Sequence, residues 1–181
     1  MQEIEMKFQM NNLKDVRETL ENLGCKFSEE LKQKDVIFVP DIKNTIVEEG
    51  AIFIRIRNVN DKIELNLKKR AKKIMESKEI EFEVNDFDGA YDFIKTLGFE
   101  EWVTVEKKRI TTNYKEFNIC IDEVKGLGEF VEIEIITSEE NKADYYENEI
   151  IKVCQELSID PNNRINSHYD TMINELNKKG E

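Results

Sequence analysis

Only two prolines and seven glycines interrupt the 181 residues, and no segment concentrates them, so the chain offers no linker at which to divide it. A single domain over residues 1–181 is expected, long enough to bury a substantial core. Also missing is any uninterrupted apolar run of the roughly 18 residues that a membrane helix needs. The chain opens on a charged strand rather than on a basic and apolar leader, and a cytoplasmic protein with no membrane partner is expected. The cysteines, Cys25, Cys120 and Cys154, are odd in number, widely spaced and without neighbours at metal-ligand spacing. They read as reduced, structural thiols. Positive charge is the remaining scarcity: 27 Lys and Arg against 39 Asp and Glu leave a formal net charge of −12. This disfavours a general nucleic-acid binder, although a local basic pocket can coexist with an acidic surface.

What is abundant is alternation. In Glu3-Ile4-Glu5-Met6-Lys7-Phe8 the charged residues share one strand face and the apolar residues the other. The pattern returns downstream. Gln33 and Asp35 share a face within an extended stretch over 25–39, which Pro40 and Asp41 end, and a loop follows over 41–50. Arg55 and Arg57 alternate with Ile52, Ile54 and Ile56, and after a turn at Asn60-Asp61 a return strand over 63–68 carries Glu64, Asn66 and Lys68. The basic stretch Lys68 to Lys73 reads as the solvated end of that hairpin, with anion holding as the alternative. Glu79, Glu81 and Glu83 alternate next, then Lys107 and Arg109 within 102–114. A last hairpin, 117–123 and 129–136, carries Asp122, Glu132 and Glu134.

Helices are expected over 13–23, capped by Asn12 and stopped at Gly24, and over 87–97. Further helices over 140–157 and 161–176, the latter opening on Asp160-Pro161, are expected to pack outside the strands. Glu3-Ile-Glu, helix, Leu23-Gly24-Cys25 is repeated as Glu79-Ile-Glu, helix, Leu97-Gly98-Phe99, which suggests two related halves.

Turning every polar strand face inward collects the acids Glu3, Glu5, Asp35, Glu64, Glu79, Glu81, Glu83, Asp122, Glu132 and Glu134. It also collects the bases Lys7, Arg55, Arg57, Lys68, Lys107 and Arg109. For one strand the ordinary explanation is a solvated face. Repetition in strand after strand favours charged faces that meet inside a barrel. Unpaired buried charge costs several kcal/mol, so such an interior is expected to be wet and to hold compensating charge. Hard divalent cations suit clustered carboxylates, and a polyphosphate suits converging Arg and Lys.

These motifs resemble the CYTH superfamily, the triphosphate tunnel metalloenzymes. Glu3-x-Glu5-x-Lys7, Arg55-x-Arg57, Leu65-Asn66-Leu67-Lys68, Glu79-x-Glu81-x-Glu83, Lys107-x-Arg109 and the stretch from Ile121 to Glu134 follow in the order that family uses, over nearly the whole chain. The last stretch is most similar to the class IV adenylate cyclase group. The resemblance implies an α+β fold with a closed eight-stranded antiparallel β-barrel, a charged interior and helices outside. It also implies Mg²⁺ or Mn²⁺, with Glu3, Glu5, Asp122, Glu132 and Glu134 as metal-binding acids. Lys7, Arg55, Arg57, Lys68, Lys107 and Arg109 would hold the triphosphate, with Lys7, Arg57, Lys68 and Arg109 also acting in catalysis; Asp35, Glu79, Glu81 and Tyr169 would support them.

Two departures stand out: Val36 and Ile37 follow Asp35 where an aromatic is common, and His168 stands at the usual Tyr of a Ser-Tyr segment in Ser167-His168-Tyr169-Asp170. The implied activity is conversion of ATP to cyclic AMP and pyrophosphate. The alternative is hydrolysis of inorganic tripolyphosphate or thiamine triphosphate, and a third is a non-catalytic polyphosphate-binding module. A homodimer is compatible with the resemblance.

Overall fold

The computed structural model describes residues 2–42, 51–69, 78–139 and 142–180. The expected loop after Ile42 and most of the basic run after Lys69 lie outside these residues. The chain forms two compact units.

The first unit takes Met1–Leu31 and Lys107–Ser167. It contains β1 (Gln2–Met10), α1 (Leu13–Asn22), the later half of β6 (Glu100–Tyr114), β7 (Phe117–Val124), β8 (Gly128–Thr137), α3 (Ala143–Glu156) and β9 (Arg164–Ile165). All pairings here are antiparallel, and β1 lies between β8 and β9. The alternation works as expected on one face: Ile4, Met6 and Phe8 meet Ile119, Ile121, Val131 and Ile133 in a core covered by Val16 and Leu20 of α1 and by Ile150, Val153 and Cys154 of α3. Asn12 caps α1 by accepting from the Lys14 amide, and the Glu129 carboxylate of β8 accepts from the Leu13 amide, which fixes the helix start against the sheet.

Ile133 is fully buried beneath the helices. Ile133→Asp is therefore expected to abolish folding, because an unpaired carboxylate would replace a core side chain. Solubility and far-ultraviolet dichroism check this; a soluble variant with the parent spectrum would place Ile133 outside the core.

The second unit takes Lys32–Glu106 and His168–Glu181. It holds β2 (Leu31–Val39), β3 (Ile52–Val59), β4 (Lys62–Lys69), β5 (Lys78–Val84), α2 (Phe87–Thr96), the first half of β6 and α4 (Tyr169–Gly180). Asn60 and Asp61 both take positive φ, so the β3–β4 hairpin turns where the sequence predicts. Val36, Phe38, Ile54 and Ile56 form this unit's core with Ile94 of α2.

The repeated Leu-Gly motif has a structural meaning. Gly24 and Gly98 both adopt positive φ after a helix, and the Cys25 and Phe99 amides return to the Leu20 and Ile94 carbonyls. Each unit thus ends its strand-following helix with the same left-handed cap.

Three expectations need correction. The hydrogen-bonded strand order is β5-β4-β3-β2-β6-β7-β8-β1-β9, a nine-stranded antiparallel sheet that, among the described residues, is not closed into an eight-stranded barrel. Alternation assigns faces but carries no information about closure. Second, the helix expected over 161–176 is a short 3-10 turn at Pro161–Asn163, then β9, then α4. Asp160 does cap the turn, but Arg164 and Ile165 pair with Phe8 and Lys7, where a free strand edge outweighs one more helical turn. Third, α4 does not simply lie outside: Trp102 donates to Asn174 of α4 and packs on Phe53, which shares a strand face with Arg55 and Arg57.

Candidate functional site

The polar face of the first unit carries two distinct charge arrangements, both set by strand register. β1 and β8 pair Lys7 with Glu132 and Glu5 with Glu134; β7 and β8 pair Cys120 with Glu132 and Asn118 with Glu134. Across the β1–β8 ladder Glu132 therefore stands beside an opposite charge and Glu134 beside a like one.

Around Glu132 the charges satisfy one another. Asp122, with no exposed surface, receives a two-pronged contact from Arg109, with Nε to Oδ1 at 2.7 Å and Nη2 to Oδ2 at 2.5 Å, and Lys107 Nζ donates to Oδ2 at 3.1 Å. Glu132 accepts from Arg109 and lies 3.2 Å from Lys7 Nζ. Lys7 also donates to the Ser167 carbonyl. Burial pushes both carboxyls up, but Arg109 and Lys107 at Asp122, and Arg109, Lys107 and Lys7 at Glu132, outweigh it and hold both below the usual carboxylate range. Burial also draws the Lys107 ammonium down, and the neighbouring Arg109 charge adds to this against the two acids. Cys120 lies buried between these groups, and burial pushes its thiol up to about 12, so it stays neutral.

Around Glu134 the acids face one another instead. One carboxylate oxygen from each of Glu3, Glu5 and Glu134 lies within 4.8 Å of the others. Although 36% of the Glu5 side chain is solvent-accessible, desolvation first, then the Glu132, Glu134 and Glu3 charges, push its carboxyl up to about 7 against the pull of Lys7. These groups fit a hard divalent cation by their chemistry. Oxygen donors on partly exposed carboxylates leave room for waters and phosphate oxygens, and a cation would relieve the repulsion. Asp122 and Glu132, expected with them, are not in this group; the bases take up their oxygens.

The second unit carries the rest. Arg57 grips Asp35 through Nε at 2.9 Å and Nη2 at 2.8 Å, and Gln33 Nε2 donates to both Asp35 oxygens. Burial raises the Asp35 carboxyl, but Arg57 outweighs it and holds the group below its ordinary value. Arg55 lies 3.7 Å from Glu81, which also accepts from the buried Asn66 amide. Asp35 and Glu81, expected in supporting roles, thus contact Arg57 and Arg55 respectively. Lys68 stands opposite Glu79 in the register, and the Glu79 side chain lies outside the described residues. Tyr169 is buried at the start of α4, while His168 is exposed.

Three polar residues were invisible as partners from the sequence. Gln33 and Asn66 sit on the inward faces that alternation assigns, but an amide carries no charge signal. Asn118, which donates from Nδ2 to Glu134 Oε1 at 2.6 Å, is likewise identified only by what lies opposite it.

The chain is similar to several known proteins. A protein of Methanocaldococcus jannaschii named "Putative adenylate cyclase" is 29% identical over 169 residues, covering 93% of this chain and 97% of its own length. A solved structure from Pyrococcus horikoshii is 28% identical with a TM-score of 0.76, covering 93% of this chain and 98% of that one. A more distant structure, 16% identical with a TM-score of 0.65 and covering 98% and 96%, is that of a "Putative adenylyl cyclase" of Hippeastrum described as having a dominant triphosphatase activity. Among the described residues no helix is long and apolar enough to cross a membrane. The family model of the CYTH domain matches residues 1–169, and the chain belongs to that family.

Proposed function

We propose that this protein is a divalent-metal-dependent, triphosphate-processing enzyme, and that its reaction is the conversion of ATP to cyclic AMP and pyrophosphate. The observation that carries the reading is the division of one strand face into a carboxylate group, Glu3, Glu5 and Glu134, and an adjoining base group, Lys7, Lys107 and Arg109. A triphosphate with a bound cation needs both kinds of partner at once. Family membership and the cyclase name of the 29% identical relative support the choice of chemistry.

In this reading Glu3, Glu5 and Glu134 hold Mg²⁺ or Mn²⁺, which would neutralise phosphate oxygens and polarise the attacking hydroxyl. Lys7, Lys107 and Arg109 hold phosphate oxygens and offset the charge that builds on the leaving pyrophosphate. Asp122 and Glu132 serve these bases: they fix where the cationic groups point before substrate arrives, so orientation costs little during reaction. Arg55, Arg57 and Lys68 are assigned phosphate binding by the family motif alone; within their own unit Asp35 fixes Arg57 and Glu81 attends Arg55. In the reaction the ribose 3′-hydroxyl attacks the α-phosphorus, its proton is lost, and pyrophosphate departs.

The second reading, a triphosphate phosphohydrolase, is favoured by the activity described for the Hippeastrum protein. Product analysis separates the two. With ATP and Mn²⁺ or Mg²⁺, cyclic AMP and pyrophosphate are expected in equal amounts, and 3′-deoxy-ATP is expected to bind without reacting because it lacks the nucleophile. Rapid phosphate release from tripolyphosphate, with no cyclic AMP under either metal, would replace the cyclase reading by the hydrolase.

A further inference from the structure

We propose that Asn118 is a positioning residue that holds Glu134 in the orientation its metal-binding role requires, a role that rests on the functional reading above. Glu134 and Glu132 lie two residues apart on the same face of β8, yet they are held by opposite chemistry. Glu132 is held by the cations Lys7 and Arg109, which neutralise it. Glu134 is held by a neutral amide: Asn118 Nδ2 lies 2.6 Å from Oε1 and stands directly across the β7–β8 ladder.

An uncharged donor fixes a carboxylate without cancelling its charge, so Glu134 keeps its attraction for a cation beside Glu3 and Glu5. The direction of the amide is itself determined. Nδ2 also lies 3.5 Å from the Cys120 sulfur, so both its protons have acceptors. Rotating the amide by half a turn would set its carbonyl oxygen against the Glu134 carboxylate. A base at this position would pair with Glu134 as Lys7 does with Glu132. An apolar residue would leave the carboxylate free to rotate away from its two acidic neighbours.

The test is direct Mn²⁺ binding, by calorimetry and by loss of the free-ion paramagnetic signal, on the full chain. Asn118→Leu keeps the branched shape at a larger volume and removes the donor; Asn118→Ala removes both the donor and the branch. Each is expected to weaken Mn²⁺ binding by about 10–100-fold. Their melting temperatures should stay within a few degrees of the parent, and the activating metal concentration should rise more than turnover at saturating metal falls. A purely structural Asn118 would lower the melting temperature and leave the Mn²⁺ affinity of the folded protein unchanged, which overturns the proposal. If Asn118→Leu does not fold, the same comparison on Asn118→Ala decides it. Absence of Mn²⁺ binding in the unaltered protein would instead overturn the metal reading itself, and Glu134→Gln, measured alongside, shows the loss expected when the ligand rather than its positioner is removed.

Discussion

Asp122→Asn is expected to lower stability by about 3–5 kcal/mol, the range seen when one partner of a buried ion pair is removed. For a chain of this size that corresponds to a fall in melting temperature of roughly 6–20 °C. The cause is local. Asp122 is fully buried, and its two oxygens receive the Arg109 fork and the Lys107 ammonium. An amide of the same shape presents a donor where one of those donors now points, and deprives two cations of a charged acceptor. Thermal and urea unfolding measure the effect. Because the Asp122 carboxyl sits below its ordinary value when folded, its contribution is present above the unfolded value and disappears as pH falls through the folded one. The gap between parent and variant should therefore be full near neutral pH and narrow below about pH 4. An Asp122→Asn protein with unchanged stability but lost Mn²⁺ binding would return Asp122 to the metal-binding acids.

Glu134→Gln is expected to show the opposite profile, with metal-dependent turnover reduced by at least about 100-fold and the melting temperature held within a few degrees. Glu134 is half-buried, has no cationic partner among the described contacts, and shares its surroundings with Glu3 and Glu5. Removing one negative charge relieves repulsion in the folded protein, so the fold loses little. A cation loses a charged oxygen from a small set. Steady-state turnover against Mn²⁺ concentration, with melting curves for the same samples, checks both halves of the expectation. Full turnover at ordinary metal concentrations would remove Glu134 from the metal group, while a collapse in stability would show that it supports the fold as Asp122 does. The two variants together test whether the acids of this face divide into anchors for bases and ligands for a cation.

That division marks the limit of what alternation can say. Glu132 and Glu134 are indistinguishable along the chain: both acidic, both on the polar face, two residues apart. Across the chain they differ completely, because β1 brings Lys7 to one and Glu5 to the other while β7 brings Cys120 and Asn118. The same holds for Asp122, whose acidic character was plain but whose capture by Lys107 and Arg109 depended on the register of β6 against β7.

By itself the sequence determined which faces are apolar, where the hairpins turn, how the two helices end in the same glycine cap, and that acids and bases recur at every second position. These are consequences of a few neighbouring residues: period-two alternation, backbone sterics and local capping. Tertiary structure alone decided which acid meets a base and which meets another acid, that Arg164 and Ile165 pair with β1, and that among the described residues the strand order runs from β5 to β9 without closing. Those outcomes depend on register and on competition between partners distant in the chain. A shift of one residue between paired strands would exchange the partners of every charge, and nothing in a single strand's pattern records which register its neighbour adopts.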